Sequence, residues 1–183
     1  IRVVADECFL RFHPHYEKMS CKRFLKQYPN LLIVNAFTKF YAMAGLRLGY
    51  LMTGDLSLLH AVAQQLPEWN VSSIAQRAGI SALKDTEYEK RTRQLIEKER
   101  RYLIQEFLKM GCTVFPSEAD YITFRLPQEK TGFLLKERLL EGKILIRSCA
   151  NYRNMPPDCY RIAVKQHADN EELVRQVWRI LKQ

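Results

Sequence analysis

The sequence lacks any apolar run long enough to span a bilayer, so no transmembrane helix and no membrane partner are expected. It also lacks cysteines at metal-binding spacing. Cys8, Cys21, Cys112, Cys149 and Cys159 stand apart, which implies neither a zinc site nor a disulfide framework and fits a reducing, cytoplasmic setting. There is no signal-peptide pattern and no initiating Met. The chain opens on Ile1-Arg2-Val3-Val4-Ala5-Asp6, which reads as the interior of a buried strand. A fragment cut at a strand of a larger protein is therefore expected. No repeat or low-complexity segment is present. His13 and His15 form a His-x-His pair that reads as a solvated loop, and no metal is expected.

What is present is a chain of 183 residues, 47% hydrophobic and 27% charged. That is enough for one domain or two small ones. The net charge of +9 raises the alternative of a basic nucleic-acid-binding or regulatory module without catalysis. However, the basic residues alternate with acidic ones, as in Glu97-Lys98-Glu99-Arg100-Arg101. This pattern reads as a solvated helix face, so no nucleic-acid partner is expected. The surplus also suits small anionic substrates, and a missing acidic half would account for part of it.

The order of elements is α/β. Strands are expected over Arg2–Ala5, Leu31–Asn35 and Leu48–Thr53, with a short helix over Cys21–Tyr28 closed by Pro29. Asp55 suits the cap of a helix over Leu56–Gln65, which Pro67 ends. Ser72 or Ser73 starts another helix through Leu83, and Asp85 or Thr86 starts a long one over Glu87–Met110. In the long helix Leu95, Leu103, Ile104, Phe107 and Leu108 fall mostly on one stripe, and Gly111 stops it. Beyond it come strands over Cys112–Phe115, Tyr121–Arg125, Ile144–Arg147 and Tyr160–Val164. Helices follow over Thr131–Leu140 and Asn170–Leu181. A domain break is placed near residue 85, giving 1–85 and 86–183.

The most informative run is Asn35-Ala36-Phe37-Thr38-Lys39-Phe40-Tyr41-Ala42-Met43-Ala44-Gly45-Leu46-Arg47-Leu48-Gly49-Tyr50. A lysine at a strand exit among apolar neighbours can lose its proton and act as a nucleophile. Thr38 and Arg47 suit a phosphate dianion. One cofactor needs both a lysine and a phosphate anchor: pyridoxal phosphate, held as a Schiff base. Asp6 ends a strand, where open α/β sheets place ligand groups.

This run resembles the Schiff-base signature of the class I and II aminotransferases, and is most similar to their histidinol-phosphate aminotransferase and threonine-phosphate decarboxylase branch. Lys39, Gly45, Arg47 and Gly49 match, while Ala36 replaces the usual Ser or Thr. Asp6-Glu7-Cys8-Phe9 resembles the family's Asp-Glu-Ala-[Tyr/Phe]. The resemblance implies that Lys39 bonds the cofactor aldehyde, Arg47 and Thr38 meet its phosphate, and Asp6 meets its ring nitrogen. Phe9 stands where many aminotransferases carry a Tyr that reaches the phenolic oxygen, and it cannot make that bond. In this it looks more like the decarboxylases.

Ile144-Leu145-Ile146-Arg147-Ser148-Cys149-Ala150-Asn151-Tyr152 and Tyr160-Arg161-Ile162-Ala163-Val164-Lys165 also resemble segments of the branch. They imply that Arg161 binds a substrate carboxylate and Arg147 a second anion. Trp69-Asn70-Val71-Ser72 matches a segment read as structural, near an interface. In Ser117-Glu118-Ala119-Asp120-Tyr121, Asp120 replaces the family's Asn.

The implied fold is the later part of the fold-type I large domain, followed by the complete small α/β domain, in a homodimer. The missing N-terminal half would supply the ring-stacking aromatic and further phosphate contacts, so the chain alone is expected to be inactive. The implied reaction is decarboxylation of O-phosphothreonine to aminopropanol phosphate, in cobalamin biosynthesis. The alternative is histidinol-phosphate aminotransferase activity. Both take a phosphorylated amino acid or amine.

Overall fold

The computed structural model describes residues 1–130 and 134–182. They form two compact units, Ile1–Thr92 and Arg93–Gln183, and the division falls inside the longest helix.

The first unit is built on a three-stranded sheet in the order β1 (Val3–Asp6), β2 (Leu31–Ala36), β3 (Gly49–Thr53). β1 and β2 are parallel, with Asp6 opposite Val34, and β3 returns antiparallel with Gly49 opposite Ala36. Branched and apolar side chains suit this pleated surface, and Leu31, Leu32 and Ile33 are buried in its centre. The strand expected at the start is found as Val3–Asp6.

Helix α1 (Tyr16–Met19), which the sequence reading missed, precedes the segment expected to be helical over Cys21–Tyr28. That segment is a single 3-10 turn over Cys21–Phe24, started by the Ser20 hydroxyl accepting from Lys22 N–H at 3.2 Å. Tyr28 and Pro29 then lead directly into β2.

The next two helices follow their caps. α2 (Leu56–Gln65) starts at Asp55, whose Oδ1 accepts from Leu58 N–H at 3.1 Å. α3 (Ser73–Lys84) starts at Ser72, whose Oγ accepts from Ala75 N–H at 3.2 Å. Gly79 in α3 is a packing glycine. A Cβ there would stand 2.5 Å from Leu48 Cδ2 and 3.6 Å from Phe37.

α4 (Thr86–Lys109) starts with Asp85 Oδ1 accepting from Tyr88 N–H at 2.8 Å. It ends where Gly111 adopts φ +81° and donates to Leu108 O at 3.0 Å. Of the expected stripe, Leu103 and Phe107 are buried, Leu95 and Ile104 are half-buried, and Leu108 is exposed; Ile96 completes the buried line.

The second unit is an antiparallel sheet in the order β4 (Thr113–Phe115), β5 (Tyr121–Arg125), β7 (Cys159–Ala163), β6 (Arg147–Ser148), with helices α5 (Leu135–Glu141) and α6 (His167–Leu181). Its core joins Leu103 and Phe107 to Ile122, Phe124, Leu135, Leu139, Ile162 and Val177. The Phe107 and Phe124 rings stand 4.3 Å apart between centroids.

Three expectations here are corrected. The strand over Ile144–Arg147 shrinks to Arg147–Ser148, because Lys143 takes φ +61° and Leu145 turns out to solvent. The C-terminal helix starts three residues earlier, at His167. The helix over Thr131–Leu140 is found as Leu135–Glu141, and residues 131–133 of that expectation lie outside the described residues.

One buried polar cluster holds this unit's helix packing in register. The Glu99 carboxylate on α4 is 1% exposed and accepts from Asn170 Nδ2 at 3.1 Å, with His167 Nδ1 at 3.0 Å. Asn170 also accepts from Lys165 N–H at 3.1 Å and donates to Lys165 O at 2.9 Å. Burial alone would raise the Glu99 carboxyl, but the bonds from Asn170 and His167 outweigh it and hold the group below its usual range. A depressed carboxyl stabilises the fold above its unfolded value and loses that contribution as pH falls through its folded value. Asn170→Ala should therefore cost about 1–3 kcal/mol at neutral pH. Urea unfolding should find that the cost shrinks as pH drops below the carboxylate range.

Candidate functional site

The parallel pairing of β1 and β2 puts the ends of both strands at one edge of the first unit's sheet. Asp6 closes β1. Its Oδ1 accepts the Cys8 N–H at 2.9 Å, and its carboxylate is exposed. The Cys8 thiol is a second donor to it, ahead of the backbone bond in effect, and together they hold Asp6 below the usual carboxylate range. Burial, with Asp6 beside it, pushes the Cys8 thiol up to about 11, against a smaller opposing pull from Lys39.

Lys39 lies in the loop after β2 and is exposed, with its Nζ 5.7 Å from the centre of the Phe9 ring. The loop is closed by its own backbone. Ala42 N–H donates to Lys39 O at 3.0 Å, Met43 N–H to Phe37 O at 3.2 Å, and Phe37 N–H to Leu48 O at 3.0 Å. Thr38 is half-buried beside Lys39.

Arg47 precedes β3. Because β3 runs antiparallel to β2, Arg47 stands at the same sheet end as Lys39. It is exposed, holds φ +53°, and donates from Nη1 to Ala44 O at 3.4 Å. Gly49, two residues on, lets the chain pass Asn35, whose carbonyl oxygen would stand 3.0 Å from any Cβ.

Asp6, Phe9, Thr38, Lys39 and Arg47 thus share one end of one sheet. A carboxylate, an amine, a hydroxyl and a guanidinium form a donor set that fits a phosphorylated pyridine aldehyde: an anion for the ring nitrogen, a nucleophile for the aldehyde, and two donors for the phosphate.

In the second unit, Arg147 on β6 is directly opposite Arg161 on β7. Like charges facing across a strand pair oppose pairing. Among the described residues neither arginine takes part in an ion pair. Each guanidinium instead lies near a ring, Arg161 at 4.8 Å from the Tyr121 centroid and Arg147 at 5.6 Å from that of Tyr152. Burial pushes the neighbouring Cys149 thiol up, and both arginines pull against it. Two facing guanidinium groups make a ready receptor for a carboxylate or a phosphate.

Sequence reasoning missed two features of the first unit. One is Cys8, set against Asp6 with Lys39 also acting on its thiol. Its only signal was its place inside the Asp6–Phe9 tetrad. The other is a cluster of the half-buried Arg11 with the buried Tyr41 and Glu89, two residues beyond Lys39 at Tyr41. His13 and His15 interact locally, with His15 N–H donating to His13 Nδ1 at 3.0 Å.

The profile of the family described as aminotransferase class I and II matches residues 1–177. A threonine-phosphate decarboxylase of Salmonella typhimurium is 35% identical over 182 residues, which are 99% of this chain and 49% of that protein. The solved histidinol-phosphate aminotransferase from Clostridium acetobutylicum superposes with a TM-score of 0.91 at 31% identity, covering 99% of this chain and 54% of that one. The histidinol-phosphate aminotransferase of Sinorhizobium meliloti, solved in complex with pyridoxal-5'-phosphate, has a TM-score of 0.88 at 22% identity, over 99% of this chain and 49% of that one. At that identity the last comparison speaks for the fold alone. The chain spans about half the length of the curated relatives it matches.

The raised Cys8 thiol has a direct consequence. The thiolate is the nucleophile, so Cys8 should react with iodoacetamide at pH 8 at least about tenfold more slowly than free cysteine. Asp6→Asn should speed that reaction by removing the facing charge. Peptide mapping of the alkylated protein over time measures both rates.

Proposed function

Since this chain belongs to the class I and II aminotransferase family, whose cofactor is pyridoxal phosphate, we propose that the protein containing it decarboxylates a phosphorylated amino acid, O-phosphothreonine, to aminopropanol phosphate. The observation that carries this reading is the facing pair Arg147 and Arg161. A substrate with both a carboxylate and a phosphate suits two guanidinium groups that have no ion-pair partner among the described residues. Phe9 beside Lys39 adds support, because it brings no hydroxyl where many aminotransferases use one. So does the 35% identity to a threonine-phosphate decarboxylase. Histidinol-phosphate aminotransferase activity is the second reading, favoured by the TM-score of 0.91 to such an enzyme. Membership of an enzyme family sets aside the non-catalytic basic module.

In this proposal the residues divide the work as follows. Lys39 Nζ holds the cofactor aldehyde, Asp6 its ring nitrogen, and Arg47 with Thr38 its phosphate, while Phe9 flanks the site. Bound pyridoxal phosphate supplies the electron sink for charge developing at the substrate Cα. An ionised Asp6 keeps the ring nitrogen protonated, and its two bonds from Cys8 favour that ionised form. Arg161 grips the carboxylate, and Arg147 the second anion. Decarboxylation replaces the Cα–carboxylate bond with a Cα–H bond, and Lys39 Nζ is the proton carrier at hand. The assignment of 1–85 to a cofactor-holding domain and 86–183 to a smaller substrate-gripping one, in a cytoplasmic homodimer completed by an N-terminal half, belongs to the same proposal.

Assaying the full-length protein for CO2 release from O-phosphothreonine, beside keto-acid-dependent amine transfer from histidinol phosphate, separates the two readings. CO2 release without amine transfer is expected. Lys39→Ala should abolish turnover. Arg161→Lys keeps the charge and loses the two-pronged geometry, so kcat/KM should fall at least about tenfold, or ~1.4 kcal/mol of transition-state binding. Arg147→Lys should cost less. Wild-type kcat/KM in Arg161→Lys would place the carboxylate elsewhere.

A further inference from the structure

Arg147 and Arg161 face each other across β6 and β7, and each guanidinium has a tyrosine ring for a neighbour. The two rings come from different parts of the second unit. Tyr121 opens β5 and lies opposite Ala163, two residues along β7 from Arg161. Residues paired across strands, and residues two apart on one strand, share a face, so Tyr121 and Arg161 are diagonal neighbours on one face of the sheet. A ring and a long side chain reach each other over that diagonal. Arg161 Cζ stands 4.8 Å from the Tyr121 ring centroid.

Tyr152 is carried by the turn after β6. Its N–H donates to Cys149 O at 2.9 Å, and Met155 N–H donates to its carbonyl oxygen at 3.1 Å. The turn thereby holds the ring beside β6, with Arg147 Cζ 5.6 Å from its centroid. Tyr121 and Arg161 are half-buried, whereas Tyr152 and Arg147 are exposed.

A cation that faces a like charge can be steadied in two ways. A carboxylate neutralises it and takes up its N–H donors. An aromatic ring attracts it through the negative face of the π system and takes up none of the donors in the guanidinium plane. An acid in place of either tyrosine would cancel the charge that recognises an anion. An aliphatic residue would leave two like charges facing each other with nothing to fix their direction.

We propose that Tyr121 and Tyr152 are positioning residues for Arg161 and Arg147: the rings hold the two facing guanidinium groups in place and leave their N–H donors free for the anionic groups of the substrate. This rests on the reading of the arginine pair as the anion receptor. The half-buried contact is worth more than the exposed one, because a cation–π attraction strengthens as water is removed from it. Tyr121 therefore carries the larger share, on the arginine assigned to the substrate carboxylate.

The test uses the full-length holoenzyme with O-phosphothreonine. Tyr121→Leu should lower kcat/KM at least about threefold. Tyr152→Leu should raise KM by about twofold or more with kcat unchanged, as expected for lost uniform binding. Tyr121→Phe and Tyr152→Phe keep the rings and should behave as wild type. On an Arg161→Gln background Tyr121→Leu should cost nothing further, whereas a ring that only packs the sheet would cost the same in both backgrounds. Wild-type constants in both leucine variants, or equal losses in the two backgrounds, would overturn the proposal. Where Tyr121→Leu does not fold, phenylalanine fluorinated on its ring at position 121 keeps the bulk and weakens the negative face. There kcat/KM should fall stepwise with the number of fluorines, and an unchanged value would equally overturn the proposal. Wild-type kcat/KM in both Arg147→Lys and Arg161→Lys would instead overturn the reading of the arginine pair beneath it.

Discussion

The parallel pairing of β1 with β2 is the constraint on which the first unit's candidate site depends. It sets Asp6 opposite Val34, so the chain leaves both strands at the same edge. One exit delivers Asp6, Cys8 and Phe9, and the other delivers Thr38 and Lys39. The antiparallel return of β3 then brings Arg47 back to that edge without any long connection. A one-residue slip in the β1 register would turn Asp6 to the other face. Register is held by the buried Leu31, Leu32 and Ile33 in β2, and by Glu7, whose buried carboxylate accepts from Ser20 Oγ at 2.9 Å and Cys21 N–H at 2.7 Å. Glu7 thereby fixes the chain immediately beyond Asp6.

The second unit meets a different electrostatic problem. Its sheet places Arg147 against Arg161 in a pair that strand pairing alone disfavours. Two positions on, just past the end of β6, Cys149 N–H donates to Cys159 O at 2.9 Å, with both side chains fully buried. The apolar pair anchors the strands, so the charged pair can be tolerated at the exposed end. The buried pair thus holds the strands two register positions from the facing guanidinium groups.

How much of this was legible in the sequence depends on how local each determinant is. Asp55, Ser72 and Asp85 each act within three residues, and all three cap the helices that follow them. The Lys39-to-Arg47 motif is equally local, and its folded arrangement follows from one strand, one loop and one returning strand. The failures are non-local. The strand expected over Ile144–Arg147 had the right composition, but the positive φ of Lys143 and the exposure of Leu145 cut it to two residues. The Arg11–Glu89 pair spans 78 residues, and an acid in a helix's first turn looks like an ordinary partner of the helix dipole.

The same accounting reinterprets the net charge of +9. Among the described residues, the buried carboxylates are Glu7, Glu89, Glu99 and Asp158, whereas Arg100 is the buried cation. Glu7 and Glu99 draw on hydroxyl, backbone, amide and imidazole donors; Asp158 meets the Nε of the part-exposed Arg125 at 2.8 Å. Acidic side chains are thus consumed as acceptors inside the units, which shifts the remaining balance at the surface further toward the basic. The interior therefore makes the sequence less basic rather than more, and the surplus belongs to the surface, where it is either neutralised by neighbouring acids or left facing solvent. What separates the two is geometry. On α4 some basic residues sit beside acids one turn away, as Arg101 does with Glu97 and Lys109 with Glu106, whereas Arg147 and Arg161 face each other without one. The surface helices neutralise part of their charge locally, whereas the facing strand pair has no ion-pair partner among the described residues.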